Sequence, residues 1–213
     1  LGETVQLFGE HSAPLIGIDI SSAAVKVLQL SNTGGRYRVE HYGVEPLPPN
    51  SVNDKSIEQV EVVGAAIKRA IAKSGCKSKY AAIAVSGSSV ITKVITVAGG
   101  LDDATMEQQV LDEASNHIPY QMDEVSLDYE ILGPIPNSES LQVLIAAART
   151  ENVEARQDAL THAGLIAKVV DVEVFAIENA FKLISEQQKI PSAGLTAVVD
   201  VGANLTTIHI IKD

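Results

Sequence analysis

A chain of 213 residues, 46% of them apolar, has enough hydrophobic material for one sizeable core or two modest ones. Its formal net charge of −11 excludes broad nucleic-acid binding, which needs a basic footprint to neutralise phosphates. The single cysteine, Cys76, excludes an internal disulfide, and the five scattered histidines show no H-x-x-x-H or C-x-x-C spacing for a metal.

No apolar run approaches the ~20 residues of a membrane-spanning helix. Residues 1–14 lack the basic and apolar regions of a signal peptide and read as a tail. LIGIDI, 15–20, and AVKVLQL, 24–30, are strands, SNTGG is a hairpin connector, and 37–47 is a third strand, so an antiparallel meander is expected. The period then changes. Ile57, Val60, Val63, Ile67, Ala70 and Ile71 recur at helical spacing, with Gly75 as the stop. The SGCKSK connector places Cys76 as a free thiol in a reducing compartment. YAAIAVSG, 80–87, returns to strand.

SVITKVITVAGG, 89–100, is β-branched and strand-like. Asp102 caps a helix at about 103–118, with Leu101 and Met106 as a hydrophobic staple. Strands at 124–132 and 140–149 flank the GPIPNSE loop. Thr150 caps a helix over 151–163 and Gly164 stops it. AKVVDVEVF leads into a helix with Val174, Ile177, Phe181 and Ile184 on one face, and 195–212 forms a final hairpin. The alternation of strands and helices makes the class α/β.

Two stretches share a plan. In LIGIDISSAAVKVLQL and AVVDVGANLTTIHII an apolar strand ends at an aspartate, a turn of small residues follows, and a second strand begins. Small residues leave backbone N–H groups uncovered, and such nests bind anions. An aspartate beside a phosphate requires a cation between them, and Mg²⁺, bound by one or two carboxylates plus phosphates, fits. A single D-x-S-S turn is also satisfied by a local side-chain hydrogen bond; the second copy shifts the balance toward phosphate.

GIDISSAAVK and DVGANLTT resemble the two phosphate loops of the actin-like ATPase superfamily, which includes actin, Hsp70, sugar kinases and FtsA. DVEVFAIENAF, 171–181, is similar to its first connecting helix, with Glu173 and Ala176 at motif positions. Ser21 stands where the family commonly has Gly, and Asn204 and Leu205 interrupt the second Gly-Thr. YRVEHYGVEPLPPNSV, SSVITKVI, HIPY at 117–120 and ENVEARQDALTHAGLIAKVVDVE narrow the resemblance to the FtsA-like proteins of type IV pilus assembly, over residues 15–212.

That resemblance implies subdomain 1A from 15–87 and 167–190, a relocated subdomain 1C from 88–166, and only the first hairpin of the second lobe, 194–213. The Gly-rich adenosine motif is expected further along a complete chain. It also implies a cytoplasmic scaffold, peripheral to the inner membrane. Such a scaffold binds ATP and Mg²⁺, docks the cytoplasmic tail of the membrane protein PilN, and supports pilus biogenesis and twitching motility. Contact with the pilus assembly ATPases and self-association follow as further expectations. Asp19 would hold the Mg²⁺ water shell, and Ser21, Ser22 and Ala23 would donate to phosphates. Lys26 either meets a phosphate or lies solvated along its strand. Asp200, Gly202, Thr206 and Thr207 would form the opposing loop. The competing expectation is an actin-like ATPase or a sugar-kinase-like phosphotransferase. Its water-positioning or base carboxylate would be Asp171 or Glu173, unless these only complement a helix dipole. No catalytic residue is assigned, and hydrolysis stays open.

Overall fold

The computed structural model describes residues 15–54, 56–191 and 194–212; the expected tail at 1–14 lies outside them. The elements in chain order are β1 (Ile16–Ile20), β2 (Ala24–Thr33), β3 (Arg36–Pro46), β4 (Val52–Asn53), β5 (Ser56–Ile57), α1 (Val60–Ser74), β6 (Tyr80–Val85), β7 (Val90–Ala98), α2 (Asp103–Ser115), β8 (Val125–Pro134), β9 (Ser140–Arg149), α3 (Thr150–His162), β10 (Ile166–Val172), α4 (Glu173–Gln188), β11 (Leu195–Val201) and β12 (Thr206–Lys212). They divide into two compact units. One runs up to Ser86 and resumes at Glu154; the other is Gly87–Val153.

The first unit is built on a five-stranded sheet in the order β10-β6-β1-β2-β3. The expected antiparallel meander forms its β1-β2-β3 side, with Asp19 opposite Lys26. β6 and β10 extend the sheet with parallel pairing. Alternation decides the faces: Val25 and Val27 point inward, while Lys26 and Leu28 point out. α1 lays Val63, Ala66, Ile67 and Ala70 over the inner face. Gly75 ends α1 in the left-handed region at φ 72° and returns its N–H to the Ile71 carbonyl.

Ile57 belongs to β5, not to α1, although it is buried in the same core. A two-residue hairpin places it where helical spacing also would. Ala159 and Leu160 of α3 complete this core. A Cβ on Gly64 would meet the His162 Cβ at 2.5 Å and the Ala159 carbonyl at 2.9 Å, so α1 and α3 touch through a glycine. Residues from Glu154 onward thus pack with the first unit, and the boundary between units falls inside α3. The expected apolar face of α4 is only half-buried: Ile177 and Phe181 are partly covered, Val174 and Ile184 exposed. Cys76 is a free, buried thiol that donates to Gln29 Oε1 at 3.3 Å.

The second unit is a three-stranded antiparallel sheet, β7-β9-β8, packed on α2 around Ile95, Val97, Met106, Val110, Val143 and Ile145. Asp102 caps α2 as its sequence predicts, accepting from the Thr105 N–H at 2.9 Å. That bond holds its carboxyl below the usual range. Among the described residues no helix is long and apolar enough to cross a membrane.

Candidate functional site

The β1–β2 turn is closed from within. The Ser21 N–H and hydroxyl both bond the Ala24 carbonyl, at 3.0 and 2.9 Å, and the Ala24 N–H returns to Ser21 Oγ at 3.2 Å. Ser21 is therefore a brace for the turn, a role its Gly counterpart has no side chain to fill. No backbone bond among the described residues engages the Ser22 and Ala23 N–H groups, while the Ala23 carbonyl accepts from the Leu47 N–H at 2.9 Å; this leaves a short nest at the strand end.

Asp19 and Lys26 face each other on the outer side of the β1–β2 ladder. Their side chains form a 2.9 Å ion pair, each about half exposed. The hydrogen bond and charge of Asp19, with a smaller contribution from Asp200, hold the Lys26 ammonium above its ordinary pKa. Lys26 is thus not simply solvated: it neutralises Asp19.

The β11–β12 turn uses different chemistry for the same shape. The Gly202 N–H bonds the Leu205 carbonyl at 2.9 Å, and a Cβ at Gly202 would come within 2.8 Å of that oxygen. Only glycine allows this approach. Thr207 lies next to the turn, its hydroxyl 3.1 Å from His209 Nε2.

Both turns open onto one cleft of about 290 Å³ within the first unit. Of the sequence-predicted residues, Asp19, Ser21, Ser22, Ala23, Lys26, Asp200, Gly202 and Thr207 line it. Thr206 does not; it pairs with Val201 at the base of the turn. Glu173 also lines the cleft, whereas Asp171 does not. Asp171 is half-buried, pushed up in pKa by that burial, and its Oδ1 accepts the Val172 N–H at 2.7 Å.

Sequence reasoning missed Asp54, which reaches the cleft from the β4–β5 turn with φ 43°. An aspartate in a polar VNDKS stretch before a helix gives no hint that a two-residue hairpin will carry it there.

The lining carries four carboxylates, Asp19, Asp54, Glu173 and Asp200, against one ammonium, Lys26. A bare triphosphate would be repelled. A divalent cation held through its waters, with one or two carboxylates and phosphate oxygens, suits this donor set. Among the described residues no three metal-ligating side chains converge.

Residues 17–213 match the family model described as type IV pilus assembly protein PilM. The solved PilM-PilN type IV pilus biogenesis complex contains a similar chain, with 28% sequence identity and a TM-score of 0.77. The likeness covers 94% of this chain and 58% of that one. The mixed α/β architecture is accordingly the actin-like ATPase fold. This chain is a member of the type IV pilus assembly PilM family.

Proposed function

We propose that this chain is an ATP-binding scaffold of the type IV pilus inner-membrane platform. It holds Mg²⁺–ATP between the Asp19 and Asp200 turns and docks the cytoplasmic tail of PilN. The observation that carries the nucleotide reading is the convergence of two Asp-ended, small-residue turns on one cleft. The Ser22 and Ala23 N–H groups and the Thr207 hydroxyl meet phosphate oxygens, while Gly202, its N–H bonded to Leu205, holds the second turn in shape. Thr206 supports the second turn from its base. Asp19 and Asp200 hold the cation's water shell, and Lys26 exchanges Asp19 for a phosphate. When bound, Mg²⁺ neutralises the charge between these carboxylates and the triphosphate.

Family membership supports the pilus role, and likeness to the PilM-PilN complex supports the PilN tail as partner. This chain spans 58% of the similar chain in that complex. In this reading residues 15–87 and 167–190 correspond to subdomain 1A, 88–166 to subdomain 1C, and 194–213 to the first hairpin of the second lobe. The protein works in the cytoplasm, at the inner membrane through PilN. One observation favours a second activity, slow hydrolysis: Glu173 lines the cleft and has the chemistry to position water.

Calorimetric titration of Mg²⁺–ATP into the full-length protein tests the site. Binding is expected, and Asp19→Ala should weaken it at least about tenfold, as loss of a group that orients a metal's ligands does. A synthetic PilN tail peptide tests the scaffold separately. Absence of ATP binding would overturn the nucleotide part, and absence of peptide binding the partner. Phosphate release from the ATP-bound protein distinguishes hydrolysis from binding alone.

A further inference from the structure

Arg156 is the one arginine among the buried polar and charged residues described, with 5% of its surface exposed. It lies on α3, and its Nε donates a 2.9 Å hydrogen bond to the Ala84 carbonyl. A charge this deep persists only beside an opposite charge. The carboxylate whose field acts on it is Glu173, which opposes the downward pull of burial on the guanidinium's pKa.

Strand register explains why these residues meet. β6 and β10 run parallel, with Ala84 opposite Asp171 and Val85 opposite Val172. Glu173 is the next residue and the first of α4. A guanidinium anchored on Ala84 therefore lies where β10 passes into α4. Glu173 also lines the cleft, beside the Asp19 and Asp200 turns. With three other carboxylates around the same space, an unanchored glutamate would swing away from them toward solvent.

We infer that Arg156 is a positioning residue: anchored on Ala84, it fixes the Glu173 carboxylate in the cleft, where Glu173 orients the water shell of the cation that accompanies the triphosphate. This rests on the nucleotide reading above and deepens it. The planar guanidinium suits the role, since it offers several donors in fixed directions, enough for Ala84 and a carboxylate together. Lysine supplies the charge without the fork.

The test uses the full-length protein with Arg156→Met and Arg156→Lys, each also combined with Glu173→Gln. All are titrated with ATP in Mg²⁺ and with ATP in EDTA. Arg156→Met should weaken Mg²⁺–ATP binding about tenfold, the cost of losing a residue that orients a metal's ligand sphere. Arg156→Lys should fall between it and the wild type. Metal-free ATP binding, already weakened by the four carboxylates, should be unchanged by either substitution, and neither should add to the effect of Glu173→Gln. A purely structural role would weaken both forms of ATP alike and add to Glu173→Gln; either result overturns the inference. Mg²⁺–ATP binding by Glu173→Gln equal to that of the wild type would overturn it as well. If the wild type binds no ATP, the nucleotide reading itself falls. If it binds and both Arg156 variants bind equally well, only the role of Arg156 falls. Should Arg156→Met fail to fold, Arg156→Lys carries the comparison.

Discussion

The Asp19 turn leaves and re-enters the core of the first unit: Ile16 and Ile18 lead into it, Val25 and Val27 lead out, and all four are buried. The Asp200 turn is carried by a two-stranded ladder on which Val199, Val201, Ile208 and Ile210 are exposed, Val201 at 76%. The two turns share an aspartate, small residues, a closing backbone bond and a common cleft, yet only the first is flanked on both sides by buried residues. An amide meets a phosphate only if its backbone is already held in place. The first turn thus supplies the fixed wall of the site, and the second depends on Gly202 and the hairpin register.

The sharpest way to break this contrast is to cut the apolar support of each hairpin. Ile18→Ala should cost about 2–5 kcal/mol of stability in chemical denaturation. Ile210→Ala, exposed on the other hairpin in this 213-residue chain, should stay within about 0.5 kcal/mol when measured on that chain. Equal losses would mean that both hairpins are anchored in a core.

Gly202→Ala drives a Cβ against the Leu205 carbonyl and should cost the second hairpin about 1–3 kcal/mol. The change is read as loss of amide protection at Thr206 and Thr207 and as weaker ATP binding. The matching change in the first turn, Ser21→Ala, removes two hydroxyl-mediated bonds to Ala24. It should cost about 1 kcal/mol, leaving a turn that the buried strands still hold.

The smallest effect concerns Lys26, whose pKa Asp19 raises above the ordinary lysine value of 10.5. Its contribution to stability is complete below that value and is lost as pH rises through the elevated one. Both partners are half exposed, so the pair should contribute under about 1 kcal/mol. Lys26→Gln should lower the melting temperature slightly at neutral pH, and the difference should vanish on the alkaline side. A difference that persists there would assign Lys26 a packing role instead.

Much of this was legible in sequence because it is local. The Asp102 cap with Leu101 and Met106, the Gly75 stop, the β1–β2–β3 meander and the small-residue turns each depend on residues a few positions apart. The placement of Ile57 was misread because an apolar residue just before a helix satisfies helical spacing and a short strand equally. The exposure of Val174 and Ile184 was also hidden, since a periodic apolar face says nothing of what lies opposite it. Asp54 and Arg156 carry no local signal at all.

By itself, the sequence determined two aspartates at strand ends, each followed by a turn of small residues, because strand alternation and turn chemistry act over a few residues. Tertiary structure alone decided that both turns share a cleft, that Lys26 closes on Asp19, that Glu173 reaches the site while Asp171 does not, and that Arg156 is buried beside them. The placing of Glu173 and Arg156 depends on the β10-β6-β1 strand order and its register, and that of Lys26 on the β1–β2 ladder; both pair residues whose meeting no local pattern encodes.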